Sequence, residues 1–224
     1  MVCRDTGGRH GNTVPEKLTV ARSKSSQQWL DEHHQDEYVL KARREGYRSR
    51  AVYKLIEIDE KDHLFRPGQL VVDLGAAPGG WCEYAVTRVG DRGQVIGLDL
   101  LPVEPVAGLT FIQGDFTEQD ILDELISVLQ GQKAGVVLSD MAPNLSGMES
   151  VDQPRAMYLA ELALDFAAEF LTRDGKFVVK LFQGAGFEEY VASLRKTFQT
   201  VKFRKPQASR DRSSETYAVC MGLK

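Results

Sequence analysis

The chain has 224 residues, 42% hydrophobic and 27% charged, with a formal net charge of −4, which is the make-up of a soluble globular protein rather than a disordered or low-complexity one. No apolar run approaches the roughly 18 residues of a membrane span, and the opening MVCRDTGGRHGNTVPEK has no apolar stretch like that of a signal peptide and mixes acids with bases, unlike a transit peptide. Cys3, Cys82 and Cys220 are odd in number and scattered, so they give neither a disulfide framework nor metal-ligand spacing, and a reducing cytoplasm is expected.

Residues 1–22 show no periodicity and read as a flexible tail. Residues 23–224 read as one domain, opening with a helical extension over about 23–60. Ser25 or Ser26 is placed to cap an amphipathic helix running through Trp29, Leu30, His33, Tyr38 and Leu40 to about Gly46. Ser49 is placed to cap a second, with Val52, Leu55, Ile56 and Ile58 on its apolar face. Arg66-Pro67-Gly68 breaks the chain. Seven short apolar strands then follow, 69–74, 94–99, 110–115, 135–140, 175–182, 200–204 and 215–221, with helices expected from about 80 and over 117–130, 151–171 and 187–198. This alternation predicts an α/β fold, a mostly parallel seven-stranded sheet with helices on both faces. Only about ten residues join the last two strands, too few for a helical crossover, so one of them is expected to be antiparallel.

The modest net charge hides an uneven distribution. Six bases stand against Glu45 between Lys41 and Lys54, and seven against Asp211 between Arg195 and Arg212. Such blocks are either solvated faces or the footprint of a phosphate-backbone ligand. Tyr47 and Tyr53 in the first block suit either stacking on an unpaired base or core packing. His10, His33, His34 and His63 lack ligand spacing, so no metal is expected.

In open α/β sheets ligands bind beyond the carboxyl ends of the strands, near the reversal of strand order. Those ends carry Asp73-Leu74-Gly75-Ala76-Ala77-Pro78-Gly79-Gly80-Trp81, then Asp99, Asp115 and Asp140, with Lys180 near the end of the fifth strand. A dinucleotide calls for G-x-G-x-x-G, which this loop lacks, and four aspartates would repel a pyrophosphate. They suit a cationic ligand such as S-adenosylmethionine.

DLGAAPGGW, LDLLP, QGDF, SDMAPNLSG, VVKLFQG and KPQASRDRSSETY, in this order, resemble the FtsJ family of RNA 2′-O-methyltransferases, and most closely its bacterial 23S ribosomal RNA branch, over roughly residues 23–224. The resemblance implies a Rossmann-like class I methyltransferase fold and S-adenosylmethionine as cofactor. It further implies a uridine ribose in the A-loop of 23S rRNA as acceptor, in the assembled 50S subunit; apart from the resemblance, a cytoplasmic monomer needing no membrane is expected. The family's catalytic tetrad falls on Lys54, Asp140, Lys180 and Glu215, and its cofactor positions on Gly79, Trp81, Asp99, Asp115 and Asp140.

Methyl transfer from a sulfonium releases a neutral thioether and needs no general acid; the difficulty is the weakly acidic ribose hydroxyl. An unperturbed lysine, with a pKa of about 10.4, is a poor base near neutrality; partial burial and a second ammonium push it toward the neutral form, while carboxylate neighbours push it back. The expectation is that Lys180 accepts the hydroxyl proton, with Lys54 close by, Asp140 orienting Lys180 and facing the sulfonium, and Glu215 holding Lys54 or the ribose. The alternative is that Lys180 stays charged and only orients the hydroxyl.

Overall fold

The computed structural model describes residues 36–144, 146–210 and 213–224. Seven strands, β1 (Leu70–Leu74), β2 (Gln94–Asp99), β3 (Leu109–Gln113), β4 (Ala134–Ser139), β5 (Leu171–Phe182), β6 (Phe198–Arg204) and β7 (Glu215–Leu223), form one sheet in the order β3-β2-β1-β4-β5-β7-β6. The first five pair in parallel, and β7 is antiparallel to both β5 and β6. The order reverses between β1 and β4, which opens a crevice at their carboxyl ends. Because β7 runs the opposite way, its first residues lie at that same edge.

The helices are α1 (Glu37–Glu45), α2 (Val52–Asp62), α3 (Gly80–Val89), α4 (Gln119–Leu129), α5 (Glu149–Phe170) and α6 (Phe187–Thr197). Successive strand residues face opposite sides, so each inner strand supplies two cores. On one face Val72, Val137, Phe177 and Ala218 pack with Leu125, Leu164 and Leu194 from α4, α5 and α6. On the other, Val71, Val136, Val178, Tyr217 and Val219 pack with Leu55 and Ile58 of α2 and Cys82 and Ala85 of α3. Lys180 shares the parity of Val178, Asp140 that of Val136 and Leu138, and Glu215 that of Tyr217. The alternation therefore turns all of these residues toward α2, the helix that carries Lys54.

Several element boundaries differ from those expected. The first predicted helix is described only from Glu37, and its proposed caps Ser25 and Ser26 lie outside the described residues. Ser49 does not cap α2: Ala51 occupies that position without a side-chain bond, and the Ser49 hydroxyl is buried without a partner. Thr117 does not begin α4, because its N–H and hydroxyl both donate to Asp115 in a tight turn. Phe198 belongs to β6 rather than to the preceding helix; it is buried and stacks on Phe177. Among the described residues no helix is long and apolar enough to cross a membrane.

Candidate active site

Two concavities meet at the crevice. One, of about 410 Å³, is lined by Asp99, Asp115 and Asp140 together with Gly75, Leu100, Leu101, Phe116 and Met141, and by no lysine or arginine. The other, of about 540 Å³, is lined by Arg50, Lys54, Lys180 and Arg210 with a single acid, Glu215. Ala142 lines both. The two therefore carry opposite charge and adjoin where Asp140 of the first pairs with Lys180 of the second.

At that junction Lys180 Nζ lies 3.1 Å from Asp140 Oδ1 and donates to the Asp140 carbonyl at 2.5 Å. Lys54 Nζ pairs with Glu215 Oε1 at 2.7 Å and donates to the Tyr217 hydroxyl at 3.2 Å. Tyr217 in turn donates to Asp140 Oδ1 at 2.7 Å. All four tetrad positions are thus brought together, and Tyr217, which the sequence reading did not single out, links the two ion pairs. The signal for it was available: Tyr217 stands two residues beyond Glu215 on one strand face and directly opposite Lys180 in the β5–β7 register.

Burial alone would raise the Asp140 carboxyl, but the Lys180 and Lys54 charges and the Tyr217 bond outweigh it and hold the group below the usual carboxylate range. Glu215 is lowered in the same way, burial being overcome by the charge and hydrogen bond of Lys54. Tyr217 is pushed well above its ordinary value by burial and then by the negative charge of Asp140 and Glu215. Both carboxylates are therefore ionised at neutral pH, and the tyrosine keeps its proton as a donor.

The residues expected to hold a cofactor divide. Asp99 and Asp115 line the acidic cavity beside Asp140. The Asp99 carboxylate also ties the surrounding loops together, accepting from Ala77 N and Leu101 N, each at 2.8 Å. Gly79 and Trp81 do not line it. Trp81 is buried, its indole N–H donates to the Ala51 carbonyl, and its ring lies against Tyr217. Gly79 adopts φ +103°, and a Cβ there would come within 2.8 Å of Val103; the position is glycine for backbone and packing reasons.

Asp73, grouped with the pocket acids from the sequence, belongs elsewhere: it points into the α3 face and is fully buried. Cys82 Sγ donates to its Oδ2, and its Oδ1 has no partner. The cavity therefore holds three strand-end carboxylates, still a poor host for phosphate and a suitable one for a cation. The apolar Leu100 and Leu101 wall, 57% and 64% exposed, suits a flat apolar group.

The basic blocks also divide. Lys202 and Arg204 pair with buried Asp62, and Lys205 donates to the carbonyls of Ser213 and Glu215. Arg50 and Arg210 line the basic cavity, Arg50 also donating to the Ala208 carbonyl, while Arg212 lies outside the described residues. Tyr53 is core, buried, with its hydroxyl donating to Glu45 and its ring between Tyr38 and Tyr47. Among the described residues no group of three or more His, Cys, Asp or Glu is placed to hold a metal ion.

This sheet order, with one antiparallel strand and an acidic cavity at its switch point, defines a class I S-adenosylmethionine-dependent methyltransferase. Residues 47–223 match the model of the FtsJ-like methyltransferase family; the chain belongs to that family. It is 53% identical over 205 residues, 92% of this chain and 99% of the other, to ribosomal RNA large subunit methyltransferase E of Marinobacter nauticus. Among solved structures it is similar to a Plasmodium falciparum protein assigned as a ribosomal RNA methyltransferase, at a TM-score of 0.71 and 29% identity, covering 79% of this chain and 98% of that one. Human methyltransferase-like protein 13, solved with S-adenosylhomocysteine, shares the fold at a TM-score of 0.53 and 15% identity, with 75% and 81% of the chains covered.

Proposed function

We propose that this protein methylates the ribose 2′-hydroxyl of a uridine in the A-loop of 23S ribosomal RNA, within the assembled 50S subunit in the cytoplasm, with residues 23–224 as its methyltransferase domain. The observation that carries this reading is the division of charge between adjoining cavities: among the described residues, three carboxylates and no base line one, and four bases and one acid line the other. A cationic methyl donor suits the first and a phosphodiester-flanked ribose the second. The identity to a large-subunit rRNA methyltransferase over nearly the whole of both chains supports ribosomal RNA as the acceptor.

Asp99, Asp115 and Asp140 would hold S-adenosylmethionine, which when bound supplies a methyl group on a cationic sulfur. Its departing thioether is neutral, so neither a proton donor nor a Lewis acid is required. The protein's own task is to aim the hydroxyl and remove its proton. Two acceptors of Asp140 fix Lys180 at the boundary of the two cavities. Once its ammonium has released a proton to solvent, the neutral Nζ directs the hydroxyl oxygen and takes its proton as that oxygen forms the new C–O bond. Tyr217 and Lys54 hold Asp140 from the other side, and Glu215 holds Lys54 rather than the ribose. Arg50 and Arg210 grip the flanking phosphates. Positioning of this kind can supply roughly 7–11 kcal/mol of a barrier.

The test is transfer of labelled methyl into large subunits lacking the modification, alongside protein-free 23S rRNA, with the labelled nucleotide mapped. A single 2′-O-methyluridine in the A-loop, formed faster on subunits, is the expected result. Label at another position or only in another RNA would overturn the assignment.

A further inference from the structure

Arg48 lies in the first basic block, where sequence reads it as a phosphate contact. In the structure its guanidinium is committed elsewhere. Nε donates to Glu83 Oε1 at 2.5 Å, Nη1 to the Glu104 carbonyl at 2.6 Å and Nη2 to the Pro105 carbonyl at 2.9 Å. One side chain thereby bridges α3 and the loop of residues 100–108 that joins β2 to β3. That loop forms one wall of the acidic cavity through Leu100 and Leu101, and between Leu100 and Gly108 only Val103 and Val106 are even partly buried.

A segment with so little apolar burial is held only weakly by packing, through Val103 against the α3-side core. It is held at its start by Asp99, which accepts from Leu101 N, and farther along by the Arg48 fork. Gly79 makes the closure possible: a Cβ there would stand 2.8 Å from the Val103 side chain, so a side chain would push the loop away from α3.

We propose that Arg48 is a positioning residue for the methyl donor: by clamping the 100–108 loop to α3 it sets the place of the Leu100–Leu101 wall, and it does not serve as an RNA contact. Three acceptors in different directions require the planar fork of arginine; a lysine supplies charge but cannot span them.

The test is calorimetric titration with S-adenosylhomocysteine in the absence of RNA, so its outcome is independent of which RNA is the substrate. Arg48→Ala and Arg48→Lys are both expected to weaken binding about tenfold, the loss of a bridging charge-assisted contact. Glu83→Gln removes the fork's anchor from the other side without altering the basic block, and is expected to weaken binding in the same direction by a smaller factor. In kinetics the KM for the donor rises while kcat stays within about twofold, and the salt dependence of binding to large-subunit RNA is unchanged. Donor affinity unaltered in Arg48→Ala would overturn the proposal. So would full restoration by Arg48→Lys, or a salt slope reduced by about one in Arg48→Ala with donor affinity intact.

Discussion

The Tyr217 hydroxyl donates to Asp140 Oδ1 across 2.7 Å, and through that bond the Lys54–Glu215 pair is joined to the Lys180–Asp140 pair. Every member is directed: Lys54 donates to Tyr217, Tyr217 to Asp140, and Lys180 to the same carboxylate oxygen. Tyr217 itself is fully buried.

Tyr217→Phe keeps the ring against Trp81 and deletes the hydroxyl. It leaves the partly exposed Asp140 carboxylate one donor short, which costs at most about 1–3 kcal/mol of stability. It also frees the carboxylate that fixes Lys180, so kcat is expected to fall about tenfold or more with donor KM nearly unchanged. Urea unfolding and steady-state kinetics on the same preparation check both halves.

How much of this site was legible in the sequence depended on whether a residue's task is periodic. The positions of Asp99, Asp115 and Asp140 at or one to two residues beyond strand ends follow from apolar runs stopping at an acid, and the antiparallel last pair from the shortness of its link. Asp73 was misplaced because its strand parity, not its position at a strand end, decides its direction: Val71 and Asp73 share the α3 face while Val72 and Leu74 face away. Arg48, Lys202 and Arg204 read like Arg50 and Arg210 because charge along a chain does not reveal that Asp62 or Glu83 pairs with the cationic group, or that Arg50 donates to the Ala208 carbonyl. Those partners are distant in sequence and meet only in the fold. Trp81 matched a family position, yet it is the backbone of Ala51 that receives its N–H.

The Lys54–Glu215 pair is nearly buried, with side chains 14% and 11% exposed. Removing one partner of such a pair strands the other charge, at a cost of about 3–5 kcal/mol when burial is complete. Lys54→Ala and Glu215→Ala are each expected to destabilise strongly, and the double substitution by much less than their sum. A double-mutant cycle by urea unfolding should return a coupling of about 1–3 kcal/mol; additive effects would show that the pair is not coupled in solution.

Asp73 offers a pH signature separate from the tetrad. Burial, with the charges of Asp140 and Asp99 adding to it, overcomes the Cys82 hydrogen bond and pushes its carboxyl up to about 7. A group raised on folding contributes its stability in full below the unfolded value of 3.8, and that contribution is lost as pH rises through about 7. Asp73→Asn has no such loss. The melting temperature of the variant relative to wild type should therefore climb between about pH 4 and pH 7 and level off above. A difference that is flat with pH, or that falls, would contradict the assignment.

The central claim is that Lys180, fixed by Asp140 at the boundary of two oppositely charged cavities, handles the proton of the acceptor hydroxyl. The most direct test is single-turnover methyl transfer by Lys180→Ala on large subunits lacking the modification, with S-adenosylhomocysteine binding measured on the same protein. The expected result is transfer reduced by about 10²-fold or more with binding of the donor product within a few-fold of wild type. Transfer at the wild-type rate would return Lys180 to an ordinary strand-end lysine whose stem packs in the core and whose ammonium reaches solvent.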